Sequence, residues 1–274
     1  MENKRILTVQ DISCVGQCSL TVALPILSAC GIETCVLPSA VLSTHTGGFK
    51  GYTFRDLTED IPPIRKHWEA EKIVFDAVYT GYLGSTKQID YVRDIFNSTV
   101  ASGAKKIVDP AMADNGKLYY GFDQNFADAM AALCADADVI LPNITEACFM
   151  TGIEYKESYD EKYIETLFKA MADKGIKDVI LTGVGFEKGF TGVMVKTGGK
   201  VEYYRHKRLD VSSHGTGDVY ASAFCGALLR GYSEYDSAKI AADFTVECIK
   251  STEKEHWYGV RFEPTLPKLI EKLK

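Results

Sequence analysis

The chain has 274 residues, of which 46% are hydrophobic and 25% are charged, and its formal net charge is −6. This composition is ordinary for a globular protein, and without a basic run the sequence argues against nucleic acid as a partner. No stretch of about 18 apolar residues occurs, so we expect neither a spanning helix nor a membrane partner. The N-terminus enters a strand-like run without the features of a signal peptide, which predicts a cytoplasmic protein.

Short β-rich runs alternate with helical patterns along almost the whole chain. Strands are predicted at residues 5–10, 34–38, 73–78, 105–109, 139–141, 178–182, 192–196 and 201–204. Helices are predicted near 18–30, 85–102, 123–135, 144–151, 160–174, 217–231, 235–251 and 264–273. The strand runs are almost wholly apolar, as is typical of parallel strands covered on both faces. The alternation therefore predicts an α/β fold with a doubly wound, mostly parallel central sheet flanked by helices.

No repeat or linker divides the sequence, so we predict a single domain over residues 1–274. The exception to the regular pattern is the polar stretch 42–63, which carries Gly47, Gly48 and Gly51. We interpret it as a flap loop, because long irregular stretches in compact domains usually bind something. The eight cysteines include no Cys-x-x-Cys pair, and they are expected to be reduced thiols that pack as small hydrophobes.

The clearest chemical signal is the run Asp210-Val-Ser-Ser-His-Gly-Thr-Gly-Asp218, which is followed by a small-residue helix. Glycines at a helix start let an anion approach backbone N–H groups that have no partner within the helix. Asp218 would lie there as a general base for a hydroxyl group, while the amides neutralise charge on a phosphoryl group. The alternative is that Asp218 only caps the helix.

The Gly-Thr-Gly-Asp run, its late position and the order of the strands resemble the ribokinase superfamily. Further segments resemble the pyridoxal/pyridoxamine kinase branch, over essentially the whole chain and without a separate lid domain. These segments are 43–47 (Ser-Thr-His-Thr-Gly), 80–85 (Thr-Gly-Tyr-Leu-Gly-Ser), 109–114 (Asp-Pro-Ala-Met-Ala-Asp), 141–146 (Leu-Pro-Asn-Ile-Thr-Glu) and 180–182 (Ile-Leu-Thr).

The resemblance implies a role for each of these motifs. Asp218 would be the catalytic base, and the amides near Gly215, Thr216 and Gly217 would hold the transition state. The nucleotide would be bound by Asp109, Asp114, Tyr119, Asn143, Glu146 and Thr182. Asp109 and Glu146 would help to hold the Mg²⁺ that bridges the ATP phosphates. Simpler interpretations are a strand stop at Asp109, a first-turn helix acid at Glu146 and an ordinary strand residue at Thr182.

The resemblance also implies a site for a pyridine ring near the first strand and the flap. Its residues would be Asp11, Ser13, His45, Thr46 and Tyr82. The sequence departs from the better-known family pattern at Asp11, where a carboxylate could pair with a cationic aminomethyl group or ring nitrogen. His45 could equally be a loop histidine that bonds only to the backbone.

The function implied is ATP-dependent phosphorylation of the 5′-hydroxymethyl group of pyridoxal, pyridoxamine or pyridoxine. We expect Mg²⁺ with ATP and a homodimer. The sequence leaves open whether a monovalent cation such as K⁺ is also needed. A hydroxymethylpyrimidine kinase is the nearest alternative, and a sugar kinase is a weaker one. A non-catalytic vitamin-binding protein is the alternative from a different class. A nicotinamide-dependent dehydrogenase would need Gly-x-Gly-x-x-Gly after the first strand, which the sequence lacks.

Overall fold

A nine-stranded sheet lies at the centre of the computed structural model, which describes residues 4–209 and 213–274. In chain order its strands are β1 (Arg5–Ser13), β2 (Glu33–Leu42), β3 (Phe54–Asp56), β4 (Phe75–Thr80), β5 (Val100–Val108), β8 (Val139–Ile140), β9 (Asp178–Val184), β10 (Phe190–Thr197) and β11 (Lys200–Lys207). A separate small hairpin is formed by β6 (Ala113–Asp114) and β7 (Lys117–Leu118).

The spatial order of the strands is β11-β10-β9-β8-β5-β4-β1-β2-β3. The six strands from β9 to β2 in this order pair in parallel, and β3, β10 and β11 add antiparallel edges. The chain passes from β1 to β2 on one side, and later to β4 on the other side of β1. This reversal is the topological switch point at which open α/β sheets bind ligands.

Helices cover both faces of the sheet. They are α1 (Leu20–Ala29), α2 (Ile61–Ala70), α3 (Thr86–Ser98), α4 (Gln124–Asp136), α5 (Ile144–Thr151), α6 (Glu161–Asp173), α7 (Thr216–Leu229), α8 (Glu234–Lys250) and α9 (Leu266–Lys272). Buried side chains of α2 to α6 form one hydrophobic cluster with the sheet. Those of α1, α7, α8 and α9 form a second cluster on the opposite face. The doubly wound fold without a separate lid is therefore confirmed.

Local sequence explains where many of these helices begin. The side chains of Ser85, Asp123, Asp160 and Ser233 each accept a backbone hydrogen bond at the start of α3, α4, α6 and α8. Such caps stabilise a helix by roughly 0.5–2 kcal/mol because they satisfy N–H groups that lack a partner. At the ligand-binding edge, α5 follows this pattern with Asn143 as its cap, whereas no described side chain caps α7.

All eight predicted strands are present, but the boundary between α3 and β5 was predicted wrongly and one helix was missed. The predicted helix at 85–102 ends at Ser98, because Val100 already pairs with Phe75 as the first residue of β5. Helix α2 was missed, since its first turn contains Pro62 and Pro63, which suggested a loop although proline is well tolerated there.

The predicted flap at 42–63 is shorter in the structure. Leu42 still belongs to β2 and pairs with Phe54 of β3, and a short 3₁₀ turn at Thr58–Asp60 leads into α2. The irregular part is therefore residues 43–53, which we call the flap loop from here on. Among the described residues no helix is long and apolar enough to cross a membrane. All eight cysteines are free thiols.

Candidate active site

Six elements bring the predicted site residues to one edge of the sheet. Asp11 and Ser13 end β1, Tyr82 follows β4, and Asp109 follows β5. Asn143 and Glu146 follow β8, and Thr182 lies late on β9, where it bridges to Asn143. Helix α7 begins at the same edge with Asp218 in its first turn. The carboxyl ends of parallel strands share an edge, and this is why residues far apart in sequence meet here.

The start of α7 has no side-chain cap among the described residues. Gly215 occupies the N-cap position with a φ of 78°, and a Cβ built on it would lie 1.9 Å from the carbonyl oxygen of Gln17. Only glycine fits both the conformation and the contact. Among the described residues, a Cβ on Gly217 would meet no atom within 4 Å outside its own helix turn, so space adjoins the first-turn amides there. The segment 210–212, which begins the predicted motif, lies outside the described residues.

Asp218 lies in this first turn and is half-buried. Burial is the main reason that the pKa of its carboxyl group is raised to about 7. The nearby backbone N–H of Ser19 lowers this pKa, and the nearby charge of Asp11 raises it. A carboxyl group with a pKa near neutrality is well matched to accept a proton at cellular pH.

Asp109 and Glu146 form a buried acidic pair near Asp218. Burial raises the pKa of both carboxyl groups; the charge of Asp218 adds to the effect on Asp109, and the charge of Asp109 adds to that on Glu146. The Glu146 carboxylate accepts hydrogen bonds from the backbone N–H groups of Met112 (3.2 Å) and Asn143 (2.8 Å). These contacts fix its orientation.

This pair suits a divalent cation by its donor chemistry. Within the described part of the chain, no group of three or more His, Cys, Asp or Glu residues is arranged to hold a metal ion. Mg²⁺ in phosphotransfer sites is commonly bound by only one or two carboxylates, with nucleotide phosphates and water as the remaining ligands. Two adjacent buried carboxylates that resist joint ionisation fit such an ion, because its charge would relieve their repulsion.

Asn143 and Glu146 together close the N-terminus of α5. The Asn143 side chain accepts from the Glu146 N–H at 2.9 Å and donates to the carbonyl oxygen of Ala113 at 2.8 Å. The Asn143 N–H in turn donates to the Glu146 carboxylate, which completes a capping box. Glu146 is thus a first-turn helix acid, as in the simpler interpretation, and it also faces Asp109.

The remaining residues predicted for the nucleotide differ in exposure. The Thr182 hydroxyl donates to the carbonyl oxygen of Pro142 at 3.2 Å, which is the ordinary strand contact. Asp114 is exposed on the β6–β7 hairpin and accepts two hydrogen bonds from Asn115. Tyr119 follows that hairpin with a 43% exposed side chain. Asp114 and Tyr119 therefore border the site from the solvent side.

At the end of β1, the side chain of Asp11 points into the protein. It is only 5% exposed, and its two carboxylate oxygens accept hydrogen bonds from Ser19 Oγ (2.5 Å) and Ser13 Oγ (3.0 Å). Ser13 is also buried. Tyr82 is half-buried, and burial, with a further contribution from the charge of Asp11, raises the pKa of its hydroxyl to about 12. Tyr82 therefore remains protonated and presents an aromatic face, tilted by 31° against Phe122.

The flap loop is tied down by His45. Its Nδ1 accepts from the Gly47 N–H at 3.0 Å, so its Nε2 carries the proton and donates to the carbonyl oxygen of Tyr258 at 2.6 Å. Both ring nitrogens thus contact the backbone, and the ring is buried. Thr46, the next residue, is exposed. The flap residue Phe49 packs against Trp257, with 4.8 Å between ring centroids.

Sequence reasoning missed three contributors to this site. Ser19 lies between Asp11 and Asp218, and a serine before a helical pattern is a signal that could have drawn attention to it. Tyr79 is buried on β4, and the pKa of its hydroxyl is raised by burial and by the charges of Asp109 and Asp218. The loop around Tyr258 bonds to His45. Its sequence gives no local signal for this contact.

Comparison with known proteins adds an independent line of support. The sequence profile described as phosphomethylpyrimidine kinase matches residues 30–261. Among curated proteins, the pyridoxine/pyridoxal/pyridoxamine kinase of Bordetella avium (strain 197N) is 24% identical over 264 residues, 90% of this chain and 85% of the relative.

Two solved structures are considerably more similar in sequence. A Bacteroides thetaiotaomicron VPI-5482 protein, provisionally named a phosphomethylpyrimidine kinase and crystallised with pyridoxal, is 35% identical with a TM-score of 0.92 and covers 98% of this chain and 96% of its own. The pyridoxal kinase of Lactobacillus plantarum is 31% identical with a TM-score of 0.90, over 98% and 97% of the two chains.

Proposed function

The chain belongs to the phosphomethylpyrimidine kinase family of ribokinase-like phosphotransferases, and from this premise we propose that it phosphorylates the 5′-hydroxymethyl group of vitamin B6 alcohols with ATP. That the chain is a kinase acting on an alcohol follows from its family. The proposal concerns the substrate, the residues and the metal.

One observation carries the proposal: Asp218 lies in the first turn of a helix that no described side chain caps, close to the buried carboxyl group of Asp109. In our proposal Asp218 accepts the proton of the hydroxymethyl group as its oxygen attacks the γ-phosphorus. The first-turn amides after Gly215 donate to the transferring phosphoryl oxygens. ADP leaves with the electrons of the broken P–O bond, and the phosphate ester forms.

In the proposal, the residues that follow β5, β8 and β9 bind the nucleotide. Asp109 and Glu146 would hold Mg²⁺, which lowers the charge of the ATP phosphates when bound. Asn143 and Thr182 would contact the phosphates, and Asp114 and Tyr119 would border them. Positioning and charge neutralisation of this kind account for most of the catalysis in phosphoryl transfer.

The alcohol would lie between Tyr82 and the flap loop. The face of Tyr82 can stack on a pyridine ring, and the exposed Thr46 can bond to a ring substituent. Because the ring nitrogens of His45 are engaged with the backbone, its contribution to binding would be to hold the loop closed. A closed loop excludes water and limits wasteful ATP hydrolysis.

A second candidate, phosphorylation of hydroxymethylpyrimidine, is favoured by the description of the matching family. A panel of pyridoxal, pyridoxine, pyridoxamine and hydroxymethylpyrimidine, assayed by coupled ADP release with and without Mg²⁺, separates the two. We expect the largest kcat/KM on a B6 alcohol and none without Mg²⁺. The proposal includes a monovalent cation and a homodimer. Parallel assays with K⁺ or Na⁺ test whether turnover depends on the cation, and light scattering tests the oligomeric state.

Asp218→Asn tests the assigned base. We expect a normally folded protein that binds nucleotide and loses ~10²–10⁴-fold in kcat. Asp236→Asn is a matched control, because Asp236 holds the same third position in α8, exposed and accepting only from its own cap Ser233. Near-wild-type turnover by Asp218→Asn would reject the role. Tight pyridoxal binding without any ATP turnover in the wild type would favour a non-catalytic binding protein.

A further inference from the structure

Ser19, the residue before α1, has a backbone conformation that few non-glycine residues adopt. Its φ is 57° and its ψ is −131°. Among the described residues only Lys72 and Asn115 share a positive φ outside glycine. Such strained residues persist only where surrounding contacts hold them, and they cluster at functional sites. Ser19 is buried, with 6% of its surface exposed, at the edge of the candidate site.

The contacts that hold Ser19 can be named. Its carbonyl oxygen accepts from the N–H groups of Val22 (3.0 Å) and Ala23 (2.9 Å), and its backbone bridges to Ile12. Its hydroxyl does not cap α1, which is the usual role of a serine at this position. It donates to Asp11 Oδ1 at 2.5 Å instead.

Asp11 is therefore an inward-facing anchor. Its second oxygen accepts from Ser13 Oγ, so both oxygens are engaged by buried hydroxyl groups. Hydrogen bonds to an ionised acceptor are about twice as strong as neutral ones. A carboxylate engaged in this way is a poor partner for a cationic group on a substrate, but it can fix the serine firmly.

The backbone N–H of Ser19, in turn, lies close to the Asp218 carboxyl group and lowers its pKa. On the basis of the proposed function, we propose that Asp11 is a positioning residue: it holds Ser19 in its positive-φ conformation, so that the Ser19 N–H orients the Asp218 carboxylate for proton transfer. Asp11 then acts on turnover through Ser19 and does not contact the alcohol.

A mutant cycle tests this arrangement, with kcat and KM measured on all three B6 alcohols. Asp11→Asn should lower kcat by about 10-fold or more, by the same factor for each alcohol and with little change in KM, because a misplaced catalytic group slows the reaction without weakening binding. Ser19→Ala should show a similar loss. Ser19→Gly should retain more turnover than Ser19→Ala, since glycine adopts the conformation without the hydroxyl anchor.

The double variant gives the decisive comparison. With glycine at position 19, Asp11→Asn should cost little further turnover, within about 2-fold, because residues that act through one contact are not additive. Asp236→Asn again serves as the control: it alters a Ser–Asp pair of 2.7 Å at the start of α8, at the other end of α7 from the site. Its turnover should equal that of the wild type.

Several outcomes would overturn the inference. A changed order of preference among the three alcohols in Asp11→Asn would make Asp11 a direct substrate contact. Coupling through Ser19 would be rejected if Asp11→Asn lowered kcat as much in the Ser19→Gly background as in the wild type. It would also be rejected if Ser19→Gly retained no more turnover than Ser19→Ala. The comparison of Ser19→Gly with Ser19→Ala can be made even if Asp11→Asn does not fold. A wild type that turns over no alcohol would instead overturn the proposed function, and the inference with it.

Discussion

Among the helices that begin at the ligand-binding edge of the sheet, α5 and α7 treat their first-turn amides in opposite ways. Helix α5 is closed by the reciprocal bonds of Asn143 and Glu146. Helix α7 begins at Gly215 with no side-chain cap among the described residues. Both helices carry the same partial positive charge at this end. The difference between them is whether those amides are available to a ligand.

The closed and the open helix start serve complementary purposes. The capping box of α5 immobilises the Glu146 carboxylate beside Asp109, as a cation ligand requires. The open start of α7 forgoes a cap worth roughly 0.5–2 kcal/mol. It leaves N–H groups and free space for an anion. In the proposed function, a cation site and an anion site are thus formed from the same structural element by the choice of the capping residue.

Gly215→Ala should have the largest effect on the open start. The added Cβ would be placed 1.9 Å from the Gln17 carbonyl oxygen at a φ of 78°, so the turn must shift and the first-turn amides with it. Loss of one such donor typically reduces kcat by ~10²–10³-fold, and we expect at least the lower figure. Coupled ADP release measures it, and urea unfolding should show a parallel loss of stability.

Gly217→Ala sharpens this prediction, because its Cβ would meet no atom of the part of the chain that the structure describes within 4 Å, outside its own helix turn. We expect it to keep or slightly raise stability, as Gly→Ala does in helices, by up to ~1 kcal/mol. Its turnover should still fall, since the methyl group would occupy the space assigned to the phosphoryl group. If Gly215→Ala retained wild-type turnover, the open start of α7 would not be needed for the reaction.

Glu146→Gln tests the closed start, with a smaller expected effect. Glutamine preserves the capping box, so α5 should remain intact, but the negative charge is lost. We expect kcat to fall about 10-fold and the Mg²⁺ concentration for half-maximal rate to rise. Ser85→Ala is the contrasting variant: it removes the cap of α3, should cost ~1 kcal/mol of stability and should leave turnover unchanged. An unaltered Mg²⁺ dependence in Glu146→Gln would leave this residue with the capping role alone.

The sequence predicted the parts of this comparison that depend on local pattern. Apolar runs located the strands, and chemistry-bearing residues at strand ends, such as Asp109 and Asn143, could be placed at one edge because the sheet is parallel. The helix start at Gly215 was visible from its glycines. Whether a given helix start is open or closed could not be predicted from the sequence, because it depends on which side chain turns back toward the first-turn amides.

Contacts between distant segments also escaped prediction. His45 bonds to Tyr258, and Gln17 pairs with Gly259, more than 200 residues along the chain. Nothing in the periodicity of either segment specifies the other. The inward turn of Asp11 toward Ser19 was missed for a related reason, because it depends on the positive φ of Ser19. Sequence suggested that this carboxylate faces the ligand.

The buried acidic pair should lower the stability of the fold at high pH. The pKa of Asp109 is raised in the folded protein, first by burial and then by the charge of Asp218. The folded state therefore keeps a proton that the unfolded chain releases near pH 4. As pH rises from there, release of that proton favours unfolding, and the wild type loses stability.

Asp109→Asn removes this titration, so its stability relative to the wild type should increase with pH. Neutralising a buried charge of this kind typically contributes ~1 kcal/mol or more, which corresponds to ~2–4 °C in Tm for a domain of this size. The gain should be seen at pH 8 without nucleotide or metal and should vanish at pH 4, with Asp236→Asn unchanged at both. Turnover should nevertheless be lost, because the Asp109 carboxylate, which lowers stability without ligands, is the one proposed to hold the cation. If Asp109→Asn were less stable than the wild type at pH 8, its carboxylate would be part of the structural framework rather than the functional site.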